Sequence, residues 1–195
     1  MDLNAEGRAD EVELIRRARQ GNAEAWEALV RTHQEALFRL AYLLLGNADE
    51  AEDVAQEAFL RAYASLERFD LERPLRPWLL SIAANLARNR RRSAGRYLAA
   101  LQRWYKAWPA AATGIEEQIL HNLERQDLWH AIERLDFANQ QVIYLRYFLE
   151  MSTVEVAETL QVPEGTVKSR LHRALKRLRG IIERDFPELD EGKTL

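Results

Sequence analysis

The sequence predicts an all-α protein of two small helical domains joined by a linker, with a helix-turn-helix in the C-terminal one. Three observations carry that expectation. Apolar residues recur at three- and four-residue spacing from Asp10 almost to the end of the chain, the period of a helix with one buried face. No useful length of chain alternates apolar and polar residues, as a half-buried strand would. Between residues 96 and 116 the pattern weakens, and Pro109 and Gly114 interrupt it. The expected division is a disordered N-terminus at 1–9, domains at 10–95 and 117–185, a linker at 96–116 and a tail at 186–195.

In chain order, Val12, Leu14, Ile15 and Ala18 make a short amphipathic helix that Gly21 ends. Asn22 can cap a second, whose apolar set runs from Ala25, Trp26, Leu29 and Val30 through Leu37, Phe38 and Ala41 to Leu44 and Leu45. Asp49 is the expected cap of a third, with Val54, Ala58, Phe59, Ala62 and Tyr63 inward. Glu67 to Arg76 lacks periodicity and contains Pro74, so it reads as a loop, and Pro77 fits the first turn of a fourth helix. There Trp78, Leu79, Ile82, Ala83, Leu86 and Ala87 share the apolar face, while Asn85, Arg88, Asn89, Arg91 and Arg92 point away. The first half of the linker, with Leu98, Leu101, Trp104 and Tyr105, is compatible with a short helix, and Trp104 and Trp108 are unusual in a solvated tether. Helix is expected again from about Ile115 to Leu135, with a break at Asp136-Phe137, and from Asn139 to Leu149.

The C-terminal stretch STVEVAETLQVPEGTVKSRLHRALKRLR is the most specific. Ser152 and Glu155 have the spacing of a capping box, so a helix starts near Thr153. It stops near Gln161, because Pro163 disfavours a helical conformation in Val162, and Pro163 suits the first turn of the next helix. On that helix Val167, Leu171, Ala174, Leu175, Leu178, Ile181 and Ile182 fall within an arc of about 120°. Lys168, Ser169, His172, Arg173, Lys176 and Arg179 lie opposite. A capped helix, a short turn and a longer helix with a cationic face form the pattern whose second helix enters the DNA major groove. A basic amphipathic helix is also, in many proteins, simply a solvated face.

The chain has 195 residues, 47% of them hydrophobic and 30% charged, which supports a soluble globular protein with a core. No run of about 18 apolar residues exists and the N-terminus is acidic, so neither a membrane contact nor a signal peptide is expected and the location read from sequence is cytoplasmic. The absence of cysteine removes disulfides, thiolate catalysis and Cys-based zinc sites. The four histidines, His33, His121, His130 and His172, lack metal-ligand spacing, so no metal site and no catalytic residue is expected. The net charge of −3 is segregated. Asp49 to Glu57 is purely acidic, Leu86 to Lys106 purely basic, and the last long helix adds a second basic tract. Because screening limits each charge to a reach of about 8–10 Å, an acidic chain can bind DNA through basic tracts. The acids near Asp49 complement a helix dipole, or serve a basic protein partner.

Two blocks then carry a resemblance. AEDVAQEAFLRAYASLERF with PWLLSIAANLARNRRR is similar to region two, and VIYLRYFLEMSTVEVAETLQVPEGTVKSRLHRALKRLR to region four, of sigma-70-family RNA polymerase sigma factors of the extracytoplasmic-function (ECF) class. The resemblance covers most of residues 10–185, with nothing resembling region three between the blocks. It implies a dissociable promoter-specificity subunit without catalysis or cofactor. Its implied partners are core RNA polymerase, through the β′ clamp helices and the β flap, promoter DNA, and an anti-sigma factor. It places Asp49, Glu52, Asp53, Gln56 and Glu57 at the clamp contact. It assigns Phe69, Asp70, Leu71 and Arg73 to a loop pocket for the melted −10 element, and Asn85, Arg88 and Asn89 to strand contacts. The −35 duplex falls to Lys168, Ser169 and His172 for bases, with Arg170, Arg173 and Lys176 beside them, and Arg170 and Arg173 suited to phosphate. The loop Asp70-Leu71-Glu72-Arg73-Pro74-Leu75, Met151 and Asp136-Phe137 depart from the usual pattern. Two other readings stand beside it: a sigma mimic that sequesters an anti-sigma factor without binding DNA, and a dimeric helix-turn-helix repressor.

Overall fold

The computed structural model describes residues 3–104 and 123–186. Helix is the only regular structure among them. α1 (Leu3–Arg19), α2 (Ala23–Leu45), α3 (Ala48–Ser65) and α4 (Leu75–Trp104) form a first bundle, with a 3₁₀ turn at Leu66–Arg68. α2 lies at its centre, against each of the other three. Asn22 caps α2 by accepting the Ala25 N–H at 2.8 Å. Gly46, at φ 71°, ends α2 in the left-handed conformation that glycine adopts without a Cβ clash. The chain reverses at once, so Asn47, and not Asp49, caps α3, accepting the Glu50 N–H at 2.9 Å. Asp49 becomes a first-turn acid, favourable to the helix dipole.

Leu29, Leu37, Leu40, Val54, Leu79 and Leu80 are buried in this core, and burying each such side chain contributes about 1.5–3 kcal/mol. Ala51, Ala58, Ala62, Ala83 and Ala87 are buried beside them, small enough to let α3 and α4 approach α2 closely. Two ends differ from expectation. α1 begins at Leu3, inside the stretch expected to be disordered, and α4 continues to Trp104, past the expected domain end at residue 95. Residues 105–122, with Trp108, Pro109 and Gly114 among them, and residues 187–195 lie outside the described residues.

The second bundle holds α5 (Leu123–Glu133), α6 (Phe137–Ile143), a π-helical turn (Tyr144–Phe148), α7 (Thr153–Leu160) and α8 (Glu164–Asp185). Asp136 marks the expected break by capping α6, its carboxylate accepting the Asn139 N–H at 3.0 Å. The single helix expected from Asn139 to Leu149 widens instead, the Leu149 N–H reaching back to the Tyr144 carbonyl at 3.0 Å. The wider turn puts Tyr144, Leu145, Leu149 and Met151 all in the core. There Tyr144 stacks on Trp129 at 5.7 Å, and burial pushes its phenol well above the ordinary tyrosine range.

The capping box forms as expected: the Ser152 hydroxyl accepts the Glu155 N–H at 3.2 Å and the Glu155 carboxylate accepts the Ser152 N–H at 2.8 Å. Gln161, at φ 54°, turns the chain, and Pro163 precedes α8 as its cap. Val167, Ala174 and Leu178 are the buried stripe of α8, while Leu175, at the edge of the expected arc, stays 40% exposed. α7 packs on α4, which brings the two bundles together.

Candidate nucleic-acid interface

The outer face of α8 is open. Lys168, Ser169, His172, Arg173 and Lys176 are exposed and Arg170 half-buried, so every residue expected at the duplex lies on one accessible surface. A Cβ added at Gly165, in the middle of that face, would meet nothing within 4 Å. Lys168 is tied back to Glu164 at 2.7 Å, and the Thr153 hydroxyl donates to the same carboxylate oxygen at 3.0 Å. These two bonds, Lys168 first, hold the Glu164 carboxyl below its ordinary range. Arg170, Arg173, Lys176 and Arg177 line a shallow cleft with Asp136 and Asn139, and Arg177 pairs with Asp136 at 2.6 Å. Arg177 had no role from sequence; it lies at the border of the basic face, where helical angle alone does not assign a side.

The loop between the 3₁₀ turn and α4 is held from both sides. The Phe69 ring is buried against Trp78, centroids 4.6 Å apart, so this ring anchors the loop and is not open to a base. Asp70 accepts the Glu72 N–H at 3.0 Å, a local turn that leaves Asp70 and Arg73 exposed and Leu71 half-buried. Arg19 of α1 donates to the Leu66 carbonyl at 3.0 Å and to the Phe69 carbonyl, and Arg8 donates to the Glu72 carbonyl. No sequence signal marked these arginines, because their acceptors are backbone carbonyls distant in the chain.

Of the α4 residues expected to contact the strand, Asn85 and Asn89 are exposed, whereas Arg88 is half-buried and engaged by the second bundle. It donates to Gln141 Oε1 at 3.1 Å, and Arg91 donates to Gln140 Oε1 at 2.6 Å. Both guanidinium groups lie over the Phe137 ring, at 5.8 and 5.4 Å from its centroid. Arg76, at the start of α4, donates to the Leu149 carbonyl at 2.9 Å.

The acidic face of α3 presents Asp49, Glu52, Asp53 and Gln56 to solvent, with Glu57 half-buried. Asp53 pairs with Arg90 at 3.1 Å and Glu57 with Arg61 at 2.7 Å, while Glu52 accepts the Gln56 amide at 3.2 Å. Beside this face runs a groove between α2 and α3 with Val30, Phe38, Ala55 and Phe59 in its lining, edged by Glu35, Glu52 and Gln56. Phe38 is 39% exposed and Tyr63 49%, although helical spacing put both inward; each leans on a neighbouring ring, Tyr42 or Trp26. The described residues contain no group of three or more His, Cys, Asp or Glu fit to hold a metal ion. None of their helices is long and apolar enough to cross a membrane.

A first bundle with an acidic helix and a basic helix, followed by a helix-turn-helix with an open cationic face, has the features of a helical DNA-binding protein. The family model for sigma-70 region 2 matches residues 29–97, and that for sigma-70 region 4 matches residues 125–178. The chain is 35% identical over 173 residues to the ECF RNA polymerase sigma factor SigW of Bacillus subtilis, covering 85% of this chain and 92% of that protein. It is 37% identical over 164 residues to the ECF sigma factor SigL of Mycobacterium tuberculosis, covering 82% and 92%. Among solved structures, CnrH in complex with the cytosolic domain of CnrY aligns with a TM-score of 0.68 and 28% identity, over 90% of this chain and 99% of that one. The chain belongs to the ECF class of the sigma-70 family. It is therefore an RNA polymerase sigma factor, a transcription-initiation subunit and not an enzyme.

Proposed function

We propose that this sigma factor directs core RNA polymerase to its promoters by reading the −35 element as duplex with α8 and the −10 element as melted strand with α4 and the loop ahead of it. The exposed face of α8 is the observation that carries this reading. Lys168, Ser169 and His172 stand there over the apolar stripe that fixes the helix on its domain. They are the base-contacting set, and Arg170, Arg173 and Lys176 bind phosphate beside them. On the first bundle Asp70, Leu71 and Arg73 form the pocket rim, Phe69 holds that rim from beneath, and Asn85, Arg88 and Asn89 contact the strand.

Asp49, Glu52, Asp53, Gln56 and Glu57 dock the β′ clamp helices of polymerase, the second bundle meets the β flap, and the working compartment is the cytoplasm. The domain division proposed is 10–95 and 117–185, with 96–116 between them. CnrH was solved with the cytosolic domain of CnrY, and by that likeness an anti-sigma factor restrains this chain as well. Run-off transcription with purified core polymerase is the test. A holoenzyme that starts transcripts at a cognate promoter is expected; failure at every promoter tried, the one upstream of its own operon included, ends the reading. Glu52→Lys should weaken core binding and leave isolated −35 duplex binding intact, without disturbing the Asp53–Arg90 pair.

A further inference from the structure

This inference rests on the proposed role of α4 in strand binding. The acceptors that hold Arg88 and Arg91 are neutral amide oxygens, those of Gln141 and Gln140, and both guanidinium groups lie over the flat face of Phe137. A hydrogen-bond acceptor beside a π face is what an unstacked nucleobase offers to arginine. Arg76 adds a third bond across the same boundary, to the Leu149 carbonyl ahead of the helix-turn-helix. No residue of the α8 reading face takes part in these bonds.

We propose that the second bundle clasps α4 by imitating the single strand. Gln141 and Phe137 occupy the strand-binding Arg88 of the free protein, Gln140 holds Arg91 one turn further along α4, and the −10 strand must displace them. The free chain in this form can meet a −35 duplex through α8 but not a −10 strand through Arg88. The clasp is built to yield. Phosphodiester oxygens are charged acceptors and make stronger bonds to guanidinium than an amide carbonyl does. The closed form also buries the Gln141 Nε2 group without a hydrogen-bond partner among the described residues, a cost that release to water removes.

That unpartnered nitrogen makes a clean test, because Gln141→Glu gives up no hydrogen bond while placing a carboxylate against Arg88. Binding of the full chain to a single-stranded oligonucleotide carrying the −10 sequence should weaken about fivefold in Gln141→Glu, the gain from a neutral to a charged hydrogen bond. It should strengthen in Gln141→Ala, with −35 duplex affinity unchanged in both. The chain has no cysteine, so Glu24→Cys and Gly180→Cys, both at exposed positions, can carry a dye pair that reports the closure directly. Energy transfer should fall in Gln141→Ala and on adding the strand, and hold in Gln141→Glu. Strand affinities that are unchanged, or that move in the same direction in the two variants while circular dichroism reports both folded, overturn the clasp. Wild-type run-off transcription separates the two levels: without transcripts the sigma reading itself fails, whereas transcripts with indifferent variants remove only the clasp.

Discussion

The two surfaces proposed to read DNA are treated differently by the same fold. α8 shows its reading face to solvent, and the side chains there are restrained only locally, Lys168 by its ion pair with Glu164, Ser169 by the Thr166 carbonyl and Arg173 by the Ser169 carbonyl, all on the same helix. α4 has Arg88 covered by another domain and bonded to neutral amides. The difference follows from what each surface reads. A helix face that must fit a major groove is selective by shape before any base is contacted. A strand surface of exposed asparagine and arginine makes no such demand on shape and contacts other single strands more readily, so exposing it has a cost in specificity. Covering the less shape-selective surface and leaving the more selective one open orders the two events.

The largest effect expected lies under the covered half. Phe69→Ala removes a ring packed on Trp78 and should lower stability by about 3–5 kcal/mol in urea unfolding, whereas Phe69→Leu should cost much less. A Phe69→Ala protein that is fully stable yet loses −10 strand binding would show the ring to be a base contact, and the loop anchor would have to be sought elsewhere.

The open half gives the next effect. Lys168→Ala or His172→Ala should lose about 1–3 kcal/mol of −35 duplex binding, measured by fluorescence anisotropy, and the loss should vanish on unrelated duplex. Arg173→Ala should instead weaken all duplexes alike and reduce the salt slope by about one. If Arg173→Ala proves the sequence-selective change and Lys168→Ala the uniform one, the face is rotated from the orientation argued above. Smaller again, Arg19→Ala should cost about 1 kcal/mol by releasing the Leu66 and Phe69 carbonyls, with faster amide exchange confined to the loop at 69–74.

What the sequence made legible was local. The capping box at Ser152, the turn at Gln161 and the basic face of α8 are all set by residues within a few positions of one another, and each stands as read. The acidic face of α3 is equally plain, but periodicity alone points to Asp49 as its cap, because the left-handed Gly46, which lets Asn47 start the helix earlier, has no periodic signature. Spacing alone points Phe38 and Tyr63 inward and cannot tell a core ring from one leaning on a neighbour beside a groove. The bonds from Arg8, Arg19, Arg76, Arg88 and Arg91 all join residues far apart in the chain. A solvated arginine and a clasped one read alike until the fold supplies the acceptor.

The smallest effect concerns the ion pair on the open face. The Glu164 carboxyl is held below its ordinary value of 4.5 by Lys168 and then by Thr153, so the native state favours the ionised form. Through the interval between the folded and ordinary values the unfolded chain binds more protons than the native one, and stability rises with pH. The contribution is therefore complete above the ordinary value and lost as pH falls through the lowered one. Glu164→Gln lacks it, so its thermal midpoint should lie slightly below wild type at neutral pH and the two curves should converge in acid. The same change frees Lys168 and removes a negative charge from beside the phosphates, which should raise −35 duplex affinity about two- to fivefold at low salt and less at high salt. A Glu164→Gln protein with unchanged duplex affinity would mean that Lys168 leaves Glu164 at no cost when DNA arrives. Lys168 would then be unrestrained, and the contrast with the clasped arginines of α4 would be sharper still.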